Sequence, residues 1–440
     1  MLPHKKIFFK KKILIYGLGK TGLSSYYFLK KYNDLILFDD NKIRNNKYSK
    51  KIISNINKIK KSKFDYIIIS PGININKCKL KKYLKKNLQK IITDLDIFYC
   101  KNFKNKIIAI TGTNGKSTTA HLVYLILKNQ KKDVRLCGNI GNPILLEKKI
   151  SKKTIFVVEV SSYQIEYSKF FKANFAIILN ISPDHLERHN SMKNYIDAKF
   201  KLIKNQSKNS FAFINAKDKY LKSRIKKQKI LSKITKVSLK INDKFKNRIN
   251  NPYFSTKGNK ENLSFIFHII KKLKLKNKDM IKTINNFKGL KYRQQIIYKN
   301  SKICCINDSK ATSFSSSIDI IQSKKEIFWI VGGIPKLGDK FYLSRNNCKN
   351  IKAYIFGKNK KFFIKQFRNK ISYYCSENLS KIMQKVLHDI KNSKSNLHKT
   401  ILFSPSAASF DTFSNFEERG DYFNFLLKKY KVIKTINAII

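Results

Sequence analysis

Short apolar runs recur along this chain, each closed by glycine or a polar turn and most followed by a helical stretch. Ile13-Leu14-Ile15-Tyr16, Leu35 to Phe38 and Tyr66 to Ile69 form a first group. Runs this short, bounded by turn residues, predict strands buried on both faces, as in parallel sheets. A second group holds Ile108 to Ile110, Ile155 to Val160, Phe175 to Asn180 and Phe211 to Ile214. Strands alternating with helices predict a doubly wound parallel sheet there. A third group, Ile303 to Ile306, Ile327 to Val331, Ala353 to Phe356 and Thr400 to Phe403, predicts a further α/β layer. Residues 217–260 are Lys- and Asn-rich with weak periodicity and predict peripheral strands and loops, while 262–274 predict an apolar helix. The basic, Asn-rich Lys101 to Lys106 reads as a connector between domains. A chain of 440 residues is too long for one core. The expectation is an α/β protein of three domains: an N-terminal Rossmann-like domain (1–100), a central P-loop domain with a doubly wound parallel sheet (101–296) and a C-terminal Rossmann-like α/β domain (297–440).

Two of the strand-to-helix turns carry glycine patterns. Ile110-Thr111-Gly112-Thr113-Asn114-Gly115-Lys116-Ser117-Thr118 joins a strand to the helix that runs through Ala120 to Leu127. Glycines let backbone N–H groups turn onto phosphate oxygens, and the helix N-terminus adds a favourable dipole. Lys116 is placed to reach terminal phosphates and Ser117 to hold Mg²⁺. The first glycine of the general P-loop pattern is missing, its place taken by Ile110. The second turn, Gly17-Leu18-Gly19-Lys20-Thr21-Gly22, has the G-x-G-x-x-G spacing in a strand–helix–strand setting, and Asp39 follows at the end of the next strand. It fits any nucleotide diphosphate. Asp39 reads equally well as a ribose ligand and as an ordinary strand-end acid. Ser70-Pro71-Gly72 closes a further strand at the sheet edge where ligands sit.

Composition changes this picture little. Lys and Arg number 94 against 27 Asp and Glu, a net charge of +67. Such a charge ordinarily points to nucleic acid. Here the lysines spread along the whole chain and travel with Asn, Ile, Tyr and Phe, all residues with A/T-rich codons. Solvated lysine faces from an AT-biased genome are the simpler reading, with nucleic acid bound only non-specifically. The seven cysteines include no C-x-x-C pair, which argues against a zinc ribbon or disulfide scaffold and for a reducing compartment. The basic start followed by Ile13 to Tyr16 is too short for a secretory segment, and no apolar run reaches the roughly 18 residues of a bilayer span. A cytoplasmic protein with no membrane association is expected.

The polar residues at strand ends supply candidate chemistry. Glu159 closes an apolar strand beside the P-loop and suits a Mg²⁺ ligand or a water-orienting base. Asp184 and His185 follow the next strand and are expected to face the same crevice. In the third block, Asn307-Asp308-Ser309-Lys310-Ala311-Thr312-Ser313, Gly332-Gly333-Ile334-Pro335-Lys336 and Ser404-Pro405-Ser406-Ala407-Ala408-Ser409-Phe410-Asp411 each follow a strand. Three such loops belong at one edge of one sheet, and hydroxyls with two lysines suit an anionic small substrate.

Together these motifs resemble the Mur ligase family of ATP-dependent amide-bond-forming enzymes, in the same order and over nearly the whole chain. Thr111 to Ser117 is similar to the family's ATP loop, which accounts for the missing glycine. Glu159-Val160-Ser161-Ser162-Tyr163-Gln164, Asn307 to Thr312, and Ser404-Pro405 through Phe416-Glu417-Glu418-Arg419-Gly420 look most like the branch that adds D-glutamate to UDP-N-acetylmuramoyl-L-alanine. The resemblance implies an acyl-phosphate mechanism that yields an amide, ADP and phosphate for peptidoglycan precursor synthesis. It implies ATP binding by Gly112, Thr113, Asn114, Gly115, Lys116, Ser117, Thr118, Asn262, Arg293 and Asp308. It implies two Mg²⁺ sites, held by Ser117 and Glu159 and by His185, with Lys199 carbamylated beside the second. Lys116, Glu159, Asp184, His185 and Lys199 are then the catalytic set. Gly17, Gly19, Gly22, Asp39, Ser70, Gly72, Asn139 and Ser161 match the UDP-sugar site, and Lys310, Thr312, Lys336, Ser409, Phe410 and Phe416 the D-glutamate pocket. Gly258 and Tyr292 stand where many relatives carry histidine. A monomer is expected. The alternatives are a sister ligase of the folate-glutamylating or alanine-adding kind and, in another class, a nucleic-acid-stimulated P-loop ATPase.

Overall fold

The computed structural model describes residues 7–41, 52, 53, 55–239, 245 and 247–431. These fall into two compact units. The first takes in the described residues of Met1–Ile181, Arg188–Arg248 and Glu261–Ile284, and the second those of Ser182–Glu187, Ile249–Lys260 and Asn285–Ile440.

The first unit contains two sheets. One is built from β1 (Lys12–Tyr16), β2 (Asp34–Phe38), β3 (Tyr66–Ile69) and β4 (Ile91–Ile92), in the order β2-β1-β3-β4 and wholly parallel. The other is built from β5 (Lys106–Thr111), β6 (Val134–Gly138), β7 (Ile155–Glu159), β8 (Phe175–Ile178), β9 (Phe211–Asn215) and β10 (Lys233–Val237). Its order is β10-β9-β8-β5-β7-β6, again all parallel. In both, the order in which strands are added reverses beside the strand that opens the glycine turn, so β1 and β5 flank the crevices at their carboxyl ends. The apolar runs are buried on both faces as their patterning required, with Ile13, Leu14 and Ile15, and Ile107 to Ile110, all inaccessible.

The structure departs from the sequence reading at the connector. Helix Asp94–Asn102 takes in Lys101 and Asn102, so only residues 103–105 separate it from β5. That helix shares a continuous apolar core with both sheets, through Leu95, Ile97 and Phe98 beside Ile68, Phe156 and Ala173. A carboxylate fixes it further. Asp96 Oδ1 accepts from Ser168 Oγ at 2.8 Å and from the backbone N–H of Lys169, Phe170 and Phe171 at 2.8, 2.7 and 3.1 Å. Its Oδ2 closes a capping box with Thr93. The lysines of 101–106 suggested a solvated linker, whereas the apolar face of the preceding turns decides the packing.

The helix expected over 262–274 spans Lys257–Lys272. Within the Lys/Asn-rich 217–260 stretch, residues 240–244 and 246 lie outside the described residues. The remainder holds helix Lys219–Lys227 and the edge strand β10.

The second unit carries one mixed sheet of β11 (Gln295–Lys299), β12 (Ile303–Asn307), β13 (Glu326–Gly332), β14 (Ile351–Phe356), β15 (Ser372–Cys375) and β16 (Lys399–Phe403). The order is β11-β12-β16-β13-β14-β15, with only β11 antiparallel. Because β12, β16 and β13 are adjacent and parallel, the loops after them share one edge, as the sequence predicted. The helix Phe314–Gln322 lies on one side and the helices Leu379–Lys391 and Phe416–Lys429 on the other, each over its own apolar cluster.

Candidate functional site

The loop after β5 is held in a tight arc. Gly115 has a φ of +81°, and a Cβ there would lie 2.2 Å from Asn262 Oδ1, so only glycine fits. Helix Lys116–Asn129 starts at the next residue, with no side-chain cap at its N-terminus. The first turn of a helix presents backbone N–H groups that suit an anion. Lys116 Nζ donates to the Thr113 carbonyl at 2.7 Å. Asn180, which sequence reasoning passed over, clamps the loop. Its Oδ1 accepts from Thr113 and Asn114 N–H at 3.1 and 2.9 Å, and its Nδ2 donates to Asn114 O at 3.2 Å.

Beneath the loop, Ser117 Oγ donates to Glu159 Oε2 at 2.6 Å, and both are buried. Asn139 Nδ2 donates to Glu159 Oε1 at 2.8 Å, so the structure sets Asn139 against the carboxylate at the phosphate loop. Glu159 ends β7, which pairs with β5, and this pairing is what brings a residue 42 positions away to Ser117. Among the described residues no group of three or more His, Cys, Asp or Glu gathers into a cage. A buried carboxylate and a hydroxyl beside a phosphate loop fit Mg²⁺, which takes one or two protein oxygens and completes its shell with phosphates and water. Lys199, on helix Met192–Lys204, is also buried. Its Nζ donates to Gly112 O at 2.8 Å and Thr111 Oγ1 at 3.3 Å.

At the first sheet, a Cβ on Gly22 would lie 1.8 Å from the Gly17 carbonyl oxygen, so the helix there approaches the loop too closely for any side chain. Ser70 Oγ donates to that same carbonyl at 2.6 Å. Asp39 accepts from Leu18 N–H at 2.6 Å and Asn41 N–H at 3.0 Å, which gives the acid a loop-shaping role. Gly19 and Gly72 have open space where a Cβ would stand. Ser161 caps helix Ser162–Glu166 in a capping box with Gln164, so its hydroxyl is engaged locally.

The Asp184–His185 loop belongs to the second unit, whereas Glu159 belongs to the first. His185 has a φ of +54°, with Nε2 3.4 Å from Asp184 Oδ2 and Nδ1 3.5 Å from Glu187 Oε1. Lys336 Nζ donates to Asp184 Oδ1. A cavity of about 70 Å³ is lined by Asp184, His185, Ser313, Ser315, Lys336 and Asp339. Asp339 ties the Lys336 loop to the helix that follows Thr312 by accepting Phe314 N–H at 2.9 Å. Burial pushes its carboxyl up to about 6; Phe314 N–H and Lys336 oppose that shift, and Asp184 adds to it.

Asp308 is buried and accepts from Gln294 N–H at 3.0 Å and Ser404 Oγ at 2.9 Å. Burial still pushes its carboxyl up to about 7, against these bonds and the nearby Arg293 and Arg419. The Lys310 ammonium lies 3.6 Å from the centre of the Phe416 ring, a cation–π contact. Arg419 was singled out only as part of a motif, yet it braces two of the three loops. Its Nη2 donates to Ser309 O at 2.7 Å and Ala407 O at 3.0 Å, and its Nε to Ser309 Oγ at 3.1 Å. Ser409 is buried nearby in sequence and Phe410 is 72% exposed. At the two departures, a Cβ on Gly258 would meet Asp319 Oδ2 at 2.5 Å, and Tyr292 OH donates to Asp421 at 2.7 Å.

A phosphate loop over a buried Ser–carboxylate pair, on a chain with two further α/β sheets, fits an ATP-using enzyme with polar loops at the edge of its last sheet. The chain belongs to the Mur ligase family. It matches the family models for the Mur ligase middle domain over residues 110–280 and for the MurD-like N-terminal domain over residues 11–92. It is 35% identical to the UDP-N-acetylmuramoylalanine–D-glutamate ligase of Rickettsia felis, covering 96% of this chain and 98% of the relative. The corresponding ligase of Francisella tularensis subsp. novicida is 32% identical, with 94% and 95% covered. Among solved structures, the UDP-N-acetylmuramate-alanine ligase of Thermotoga maritima shares the fold with a TM-score of 0.55 at 18% identity, covering 96% of this chain and 99% of that one. A MurF ligase of the same organism, solved with ADP, has a TM-score of 0.57 at 15% identity, with 98% of each chain covered.

Proposed function

We infer that this chain joins D-glutamate to UDP-N-acetylmuramoyl-L-alanine at the expense of ATP, releasing ADP and phosphate. The observation that carries the choice of substrate is its 35% identity to a D-glutamate ligase over 96% of the chain. In the reaction the substrate carboxylate attacks the γ-phosphorus of ATP, ADP leaves, and an acyl phosphate forms. The amine of D-glutamate then attacks the acyl carbon, phosphate leaves, and the nitrogen loses a proton. Both partners of the first step are anions, so the barrier is largely electrostatic.

The residues divide as follows. The loop Gly112 to Thr118 cradles the phosphates through backbone N–H groups. Lys116 leaves the Thr113 carbonyl to neutralise the transferred group. Ser117 and Glu159 hold Mg²⁺, which neutralises charge on the phosphate oxygens when bound. His185 serves a second Mg²⁺, with Asp184 orienting it and a carbamylated Lys199 as further support. Asn262, Arg293 and Asp308 contact the nucleoside. Gly17, Gly19, Gly22, Asp39, Ser70, Gly72, Asn139 and Ser161 form the UDP-sugar side, where Asn139 also orients Glu159. Lys310, Thr312, Lys336, Ser409, Phe410 and Phe416 form the D-glutamate pocket. By function the chain divides into the stretches 1–100, 101–296 and 297–440, which take the nucleotide sugar, ATP and the amino acid, the first two sharing one compact unit over most of their length. The working protein is a cytoplasmic monomer. Among the described residues no helix is long and apolar enough to cross a membrane.

The test is phosphate release by purified protein. It is expected only when ATP, UDP-N-acetylmuramoyl-L-alanine and D-glutamate are all present. Absence of stimulation by D-glutamate, with stimulation by another amino acid in a panel, assigns the chain to a sister ligase instead.

A further inference from the structure

A buried chain of hydroxyls runs between the loops at the carboxyl edge of the last sheet. Ser317, on helix Phe314–Gln322, lies with its Oγ 2.6 Å from Ser404 Oγ and 2.7 Å from Ser406 Oγ. Ser404 Oγ in turn donates to Asp308 Oδ2 at 2.9 Å. Ser317 and Ser404 are wholly inaccessible and Ser406 is 1% exposed. The protons fix the direction of this chain. Ser404 Oγ is the donor to Asp308, and each serine has one proton to give. Ser404 commits its proton to Asp308, so Ser404 Oγ accepts from Ser317, and Ser317 Oγ then accepts from Ser406. A polar chain this deep holds its members firmly only when every link is present.

Ser406 is where the chain acts on shape. Its φ of +56° is left-handed, a region that residues with a Cβ adopt only when their surroundings enforce it. The other acceptor within reach of its one proton, Ser404 O, is farther away at 3.4 Å. The bond to Ser317 is therefore the closer restraint on the Ser406 side chain, in a turn that Arg419 also braces at Ala407 O and that reaches Ser409 and Phe410 within four residues. Ser317 also sits on the helix that begins just after Lys310-Ala311-Thr312. One hydroxyl thus joins the nucleoside-side carboxylate to both segments assigned to the amino acid.

We propose that Ser317 is a positioning residue for the D-glutamate pocket, holding the Ser406 turn against Asp308 and so setting Ser409 and Phe410. This rests on the D-glutamate ligase reading above. Initial rates of phosphate release are measured for wild type, Ser317→Ala, Ser406→Ala, Ser406→Gly and the Ser317→Ala/Ser406→Ala pair, with melting temperatures alongside. Ser317→Ala is expected to raise KM for D-glutamate about fivefold to tenfold, the ratio that one lost buried hydrogen bond carries. KM for ATP stays within about twofold because Ser404 keeps its bond to Asp308, and kcat moves less than KM for D-glutamate. Ser406→Ala gives the same rise and the pair no more than either single change, since each of the three removes the Ser317–Ser406 link. Ser406→Gly, which accepts the left-handed backbone but lacks the hydroxyl, also raises this KM.

The proposal is overturned if KM for D-glutamate stays within about twofold in both single alanine variants. It is equally overturned if the KM values for all three substrates rise together with a lower melting temperature, or if the two alanine effects multiply. A wild-type protein with no D-glutamate-dependent release overturns the ligase reading itself, a different outcome from any of these.

Discussion

Lys336 donates its ammonium to Asp184, and that bond occupies the group assigned to the carboxylate of D-glutamate. An incoming carboxylate must compete with Asp184 for one cation, so the ion pair tunes affinity as well as placing the side chain. Lys336→Ala is expected to raise KM for D-glutamate by about tenfold to a hundredfold, in keeping with the loss of a charge-assisted hydrogen bond. Rates measured against D-glutamate concentration check it, and an unchanged KM removes Lys336 from the pocket. Lys199 has a different problem, being a buried amine aimed at two oxygen acceptors on the phosphate loop. If it works as a carbamate, Lys199→Ala loses at least about a hundredfold in kcat, and short carboxylates restore part of it. Full activity in that variant without any rescue would refute the carbamate.

At the scale of elements, two neighbouring acids on helix Asp94–Asn102 behave in opposite ways. Asp96 gathers four donors on one oxygen, from a hydroxyl and three successive backbone N–H groups. Asp96→Ala leaves those donors buried without an acceptor, and it is expected to lower unfolding free energy by about 3 kcal/mol or more. Denaturant titration measures this, and a loss of under about 1 kcal/mol contradicts the role given to the carboxylate. Asp94, two residues earlier, is buried, and its Oδ1 has no hydrogen-bond partner among the described residues. Burial, opposed by Leu95 N–H and reinforced by the charge of Asp96, pushes its carboxyl up to about 7 from 3.8. Between those values the folded chain keeps a proton that the unfolded chain has lost. This contribution to stability is therefore full below pH 3.8, falls as pH rises to about 7, and is level above. Asp94→Asn removes the titration. Its melting temperature relative to wild type is expected to climb by about 2 °C or more between pH 5 and pH 8. A constant difference across that range would show that Asp94 does not titrate there.

For the whole molecule, the dominant number is a net charge of +67. All three substrates are anions, and a field of this sign draws them in from a distance that salt shortens. Raising ionic strength from about 0.05 to 0.5 M is expected to raise KM for ATP and the nucleotide sugar several-fold with little change in kcat. The same charge is expected to make the purified protein retain nucleic acid non-specifically. Nuclease treatment is expected to leave D-glutamate-dependent phosphate release unchanged, while stimulation by RNA or DNA with a steep salt dependence would favour the nucleic-acid ATPase alternative.

Local chemistry made much of this protein legible in the sequence. Apolar runs of strand length read as buried strands, so the central strands of the three sheets and their carboxyl edges could be read directly, whereas the edge strands β4, β6, β11 and β15 were not picked out. Glycine spacing did the same for the two turns, because a backbone that approaches another so closely tolerates no Cβ, as at Gly22 and Gly115. Contacts made across the sheets were out of reach. Ser117 meets Glu159 across 42 residues, Asp308 meets Ser404 across 96, and Asn180 clamps a loop 66 residues upstream. Composition misled at 101–106, where the lysines suggested a linker but the apolar face of the preceding helix set the packing. A residue's type and its immediate neighbours fix which element it joins and which hydrogen bonds it can make. The partner that receives those bonds is chosen by strand order and register, and these follow from how all the apolar faces are buried together.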